Sequence, residues 1–212
     1  MKNLIYKEFK LSISKFFIIL PILLSALMFI PNWIFLLVFM YFFWISVPQI
    51  FSAYIANRDY NFTASLPIRR QDIVTSKAYS IFLLEAFHLV LGIIFGIAHN
   101  MIYGSWNLFM DINLSFFGIV ILLFGVFNIV FLPAYFKTAH HFGKPAIYGT
   151  IATLIYGFII EFSVAKWQFA RDILEGSFLS QIIPFVVTAA LGVTLSIVAV
   201  RKSKSNFMKI DL

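Results

Sequence analysis

The sequence contains no cysteine. Disulfides, thiol nucleophiles and cysteine-ligated metals are therefore excluded, although the absence names no compartment. Charge is scarce as well. Asp, Glu, Lys and Arg make up 12% of the 212 residues, about half the usual share of roughly 25%. A soluble domain of this length needs a polar surface that so few charges cannot supply. The chain also lacks a GxxxxGK[ST] phosphate loop. Its only Gly-Lys step, Gly143-Lys144, runs into Pro145 and has no glycine at the required upstream position, so the chain cannot hydrolyse ATP through such a loop. There is no low-complexity tract and no sequence repeat.

What the chain has is apolar mass: 61% of residues are hydrophobic and 19% aromatic. Lipid removes the need for a polar exterior. Apolar stretches occupy residues 16–30, 33–54, 78–102, 114–136, 146–164 and 180–200. Most hold about 20 residues, enough to cross a hydrocarbon core of roughly 30 Å at about 1.5 Å per residue. The expectation is an all-α integral membrane protein: a single transmembrane domain, 1–212, built as a bundle of six transmembrane helices. The first stretch is short and carries Pro21, so it is the one expected to kink or to span only in part. The basic start followed by an apolar run has no convincing small-residue cleavage site after it and is read as the first helix. Three spans followed by three of opposite topology would permit an inverted repeat.

Orientation comes from the basic residues. Of the 16 Lys and Arg, all but two fall before the first stretch, between the second and third, between the fourth and fifth, or after the sixth. The exceptions are Lys166 and Arg171. The positive-inside rule then places both termini in the cytoplasm. The net charge of +7 does not point to nucleic acid, which would need a soluble basic face. Trp33, Tyr103, Trp106 and Trp167 are expected at the outer interface, and Tyr54 and Tyr79 at the inner one.

Two cytoplasmic segments stand out. In residues 1–15, Ile5, Phe9, Ile13 and Phe16 share one helical face, as in an amphipathic helix lying in the headgroup region. Residues 54–77 form the longest polar interruption. Pro67 should divide it, since the residue before proline disfavours helix. A short helix over 54–64 is expected upstream, and downstream a helix that runs from Gln71 directly into span three. Such a compact loop suits contact with a soluble partner, though a solvated loop whose charges only fix topology explains it equally well.

Within the spans, Glu85, His88, Gly92, Gly96 and His99 lie within roughly 80° of helical arc. The Gly92-x-x-x-Gly96 spacing permits close helix approach, and the polar groups should face protein or a water-filled cavity. Glu85 and His88 have the spacing of half a carboxylate-bridged di-metal site, but no second half is present, so no metal is expected. Gly149, Gly157 and Glu161 form a second stripe, and Gly192 lies on a third with Thr188 and Ser196. These stripes read as helix packing or as the lining of a pathway. No catalytic residue is assigned.

Asn57 and Arg58, the run SLPIRRQDIVTSK at 65–77, the basic amphipathic start IYKEFK and the six-span plan together resemble the small permease subunits of type-2 ABC exporters. The nearest likeness is to permeases that export amphipathic peptides such as phenol-soluble modulins in Gram-positive bacteria. The motif covers about 20 residues, and the architecture covers the whole chain. The resemblance implies a permease dimer of two identical chains in the bacterial plasma membrane. It implies two separate ATPase subunits that carry the ATP and Mg, with no cofactor on this chain. It further implies a coupling helix that docks on the ATPase, with Tyr54, Asn57, Arg58, Asp59, Tyr60 and Phe62 as its contacts.

Other function classes remain open from sequence. A proton-coupled secondary transporter could use Glu85 and His88. An intramembrane enzyme is a further class, but neither a Gly-x-Ser-x-Gly-like serine with histidine nor paired glutamates with later histidines is visible. A structural or immunity-type membrane protein is a third.

Overall fold

A computed structural model describes residues 2–57, 59–139 and 141–210. The described chain is helical throughout, without strands. Helix α1 (Lys2–Lys7) continues as a π-helical turn, Glu8–Ser12. Then come α2 (Phe16–Ala26) with a 3-10 turn at Leu27–Phe29, α3 (Leu36–Ala56) and α4 (Asp59–Ala64). The long helices α5 (Arg70–Tyr103), α6 (Leu114–Tyr135) and α7 (Gly143–Lys166) follow, then α8 (Gln168–Glu175) and α9 (Phe178–Phe207).

Among the described residues, five helices are long and apolar enough to cross a membrane: α3, α5, α6, α7 and α9. The expected first span differs. Its 11-residue helix and 3-residue turn reach about 20 Å at roughly 1.5 Å per residue, short of a full hydrocarbon core. It meets the Lys2–Leu11 segment at 79°. The six expected spans thus correspond to five long helices and a bent pair that makes a sixth only if counted as one span. Pro31-Asn32 provides the reversal into α3, with Asn32 in the left-handed region at φ 54°.

The expected boundaries shift elsewhere too. Span three, drawn at 78–102, is part of a 34-residue helix that starts at Arg70. The short helix drawn at 54–64 covers only Asp59–Ala64, because Tyr54 belongs to α3. Helix α8, on the far side, was not foreseen.

The basic segments gather at one end. Lys7 bonds Asp59 at 2.7 Å, Arg70 donates to the Ile210 carbonyl at 3.0 Å, and Asn206 donates to the Pro133 carbonyl at 2.8 Å. Both terminal segments and both basic loops thus share this end, called here the basic end.

The core is an aromatic stack between parallel α3 and α6. Phe43 stacks on Phe127 at 4.1 Å between ring centroids, and Phe51 meets Tyr135 edge-on at 4.4 Å. Phe35, Phe39, Phe42, Phe116, Phe131 and Phe136 are also fully buried. The richness in phenylalanine is therefore in good part internal packing rather than lipid-facing surface. Helix α9 lies against α6 at backbone distance, where a Cβ on Gly192 would strike the Ile121 carbonyl and one on Gly125 the Gly192 backbone. This is the small-residue packing that hydrocarbon solvent favours, since lipid gives no hydrophobic push between helices. The outer flanks of α5, α7 and α9 expose Ile94, Ile97, Ile151, Phe158, Ile183 and Val186, the surface a membrane would cover.

Candidate functional site

At the basic end, four charged side chains interlock. Asp59 opens α4 and turns inward. Its Oδ1 accepts from Lys7 Nζ at 2.7 Å and its Oδ2 from Lys77 Nζ. Glu8 bridges the same two ammonium groups, at 3.2 Å from Lys7 and 3.4 Å from Lys77. Lys7 also donates to Thr63 Oγ1 at 2.9 Å, on the next turn of α4. Lys77 lies 3.3 Å from the centroid of the Tyr54 ring, a cation–π contact. Lys77 is fully buried, Glu8 is 1% exposed and Asp59 7%.

Two cations and two anions alternate, so the buried cluster carries no net charge. Burial pushes the Asp59 carboxyl up, but Lys77 and Lys7 outweigh it and hold the group below its ordinary value. Three separate segments, α1 with its π turn, α4, and the base of α5, are thereby fastened at one point.

The structure places the expected contact residues differently from one another. Tyr54 and Asp59 face inward, Tyr54 against Lys77 and Asp59 fastening α4. Asn57 and Phe62 remain exposed, Phe62 at 56%. Arg58 lies outside the described residues, as does the side chain of Tyr60. The exposed face of this loop also carries Ser65, Pro67 and Arg69. Sequence reasoning treated Lys77 as a topology signal and did not single out Glu8. The available signal was an acid inside a basic amphipathic segment, where it spoils the polar face unless it has a cationic partner.

Inside the bundle, Glu85 turns toward α6 and α9. Asn128 Nδ2 donates to both of its oxygens at 3.0 and 3.1 Å, and lies 3.4 Å from Ser196 Oγ. His88 turns the other way, against the rings of Phe39 (4.8 Å) and Phe42 (5.7 Å). The two therefore serve different interfaces. His99 packs on Phe35 at 5.0 Å and on Tyr103 at 5.1 Å. Among the described residues, no three His, Asp or Glu side chains converge as a metal site. Gly92 lies under the Phe39 ring, Gly96 under Ile112, Gly149 under Phe127 and Gly157 under Met40. Asn128 and Gly125 were missed by sequence reasoning; neither belongs to a four-residue stripe.

The opposite end is closed by a cap. Glu161 Oε2 accepts from the Met110 N–H at 3.0 Å, and Glu175 Oε1 from the Asp111 N–H at 2.8 Å. Arg171 pairs with Glu175 at 2.8 Å and donates to the Asn107 carbonyl at 3.1 Å. Arg171, one of the two basic residues that defied the charge rule, is thus committed to holding residues 107–109 on α8. Burial pushes the Asp111 carboxyl up, against the Asn107 N–H and Arg171, and it pushes Glu175 up as well. Among the cavities of the described residues, one of about 510 Å³ lies between α5, α6 and α9, and one of about 400 Å³ lies between α3 and α7 with Glu161 in its wall.

Neither a curated protein nor a solved structure matches the chain. A family described as "ABC-2 family transporter protein" matches residues 3–207. That range takes in the ion cluster, all five long helices and the cap. The chain belongs to this family of multi-pass membrane transport proteins, in which it is a permease subunit.

Proposed function

We propose that this protein is the membrane-spanning subunit of an ATP-driven exporter, working as a pair of identical chains above two separate ATPase subunits. Family membership supports the transport role, and the missing phosphate loop supports a separate partner as the holder of ATP and Mg. The basic end would then face the cytoplasm, which the positive-inside rule supports, and the resemblance points to a bacterial plasma membrane.

The observation that carries the coupling role is the buried ion cluster. A six-residue helix is marginal alone. Fastened by Asp59 to Lys7 and Lys77, α4 is tied to the base of α5, so a push on the exposed Phe62 face would reach a helix that runs to the opposite end. Residues 54–77 would thus be the place where the ATPase grips. The cargo is assigned to amphipathic or hydrophobic peptides, or toxic molecules of that kind, on the resemblance in the 65–77 run.

The test is co-expression with an ATPase encoded beside the gene. Co-elution in detergent, and ATPase activity that depends on the permease, are expected. An ATPase that never co-elutes with the intact chain would sink the reading.

A further inference from the structure

We infer that the groove between α5 and α9 is a binding site for one anionic phospholipid of the leaflet facing the basic end. Along one stripe of α9 the groove wall reads Val193, Ile197 and Val200, then Arg201 and Lys204. It is apolar for two turns and cationic at its mouth. Neither cation is committed elsewhere: among the described residues, Arg201 and Lys204 enter no ion pair, unlike Lys7, Lys77 and Arg171.

Length decides between occupants. From Arg201 back to Gly192, at the deep end of the groove, the rise is about 14 Å at roughly 1.5 Å per residue. Half of a hydrocarbon core of roughly 30 Å is about 15 Å. The groove is therefore one leaflet deep, the reach of a single acyl chain whose headgroup stays at the surface. Basic pockets between helices on the cytoplasmic side suit anionic headgroups.

Polarity also fixes direction. Glu85 lines the inner part of the groove, its oxygens held by Asn128. The inner part offers a phosphate no cation, whereas the mouth offers two. Tyr79 and Val193 are about half exposed beside the groove, so the site opens on the flank that membrane covers.

The test uses the full chain purified in mild detergent with equal phosphatidylglycerol and phosphatidylcholine, and reads retained lipid by native mass spectrometry. The wild type should hold about one phosphatidylglycerol per chain. R201Q/K204Q should lower the preference for phosphatidylglycerol at least tenfold, while K202Q/K209Q, which removes equal charge outside the groove, should leave it within twofold. Ala86→Phe, which fills the groove from an exposed wall position, should lower retention of both lipids. Equal losses from the two double variants, or undiminished retention by Ala86→Phe, would overturn the site. Displacement by millimolar inorganic phosphate would overturn it too, because a free anion would then suffice. No ATPase enters this experiment, so its result is independent of the exporter reading.

Discussion

Lys7 reaches across 52 positions of sequence to place its ammonium 2.7 Å from Asp59, and the other oxygen of the same carboxylate is held by Lys77. One acid thus joins the amino-terminal segment to the base of α5.

Asp59→Asn should be severely destabilising. It leaves Lys77 buried beside a single acid, and breaking a buried pair from one side costs about 3–5 kcal/mol. The double variant Asp59→Asn with Lys77→Met removes the stranded charge and should recover part of that loss. Thermal unfolding in detergent checks both. Equal instability of the single and double variants would argue against the cluster.

Phe62→Asp should behave in the opposite way. Phe62 is exposed and anchors no core contact, so stability should change by less than about 0.5 kcal/mol. Co-elution with the ATPase should nevertheless be lost. A variant that unfolds, or one that still binds, contradicts the assignment of this face.

The cluster also sets a pH response. Asp59 is held below its ordinary value near 3.9. A carboxyl with a depressed folded-state pKa contributes stability above its unfolded value and loses it as pH falls through the folded one. The stability gap between wild type and Asp59→Asn should stay constant from about pH 8 to pH 5 and shrink below about pH 4. A series of melting curves across pH measures it.

The cap at the other end should respond with the reverse sign. Asp111 is raised by burial, so its site is most stable where the carboxyl is protonated and weakens as pH rises through the raised value. Asp111→Asn should match the wild type near pH 4 and exchange backbone hydrogen more slowly around residues 107–113 at neutral pH. Faster exchange at neutral pH would contradict this.

Gly192→Leu should separate α9 from α6. Its side chain has only the Ile121 and Leu122 backbone to enter, and overpacking of this kind costs about 1–3 kcal/mol or more. Loss of the folded species on size exclusion is the expected reading, with Leu191→Ala on the exposed face as the unaffected control.

Much of the fold was legible because hydrocarbon imposes one requirement, an apolar run about 20 residues long, and five helices meet it outright. The first span was harder. Residues 16–30 are apolar enough, but hydropathy does not report the break at residues 12–15 or the 3-10 turn at Leu27–Phe29. The candidate site was half legible. Pattern located the loop at 54–77 and its exposed Phe62, yet it could not say which charges turn inward. That depends on three segments distant in sequence meeting, and Lys77 looks like any basic residue at a membrane boundary until Glu8 and Asp59 arrive beside it. Glu85 and His88, three apart on one helix, invited a shared role. A helical stripe is wide enough for its two edges to face different neighbours, and Asn128 and Phe39 claim one each.

The ion cluster imposes an order on biosynthesis. Lys7 and Glu8 leave the ribosome long before Asp59 and Lys77 exist, a delay of several seconds at roughly 5–20 residues per second. During that interval Lys7 and Glu8 have only each other as ionic partners, and the segment must wait at the membrane surface, held there by its apolar face. The end of the chain made first is therefore among the last to be locked, and an arrest before residue 77 would leave it unfastened and open to proteolysis.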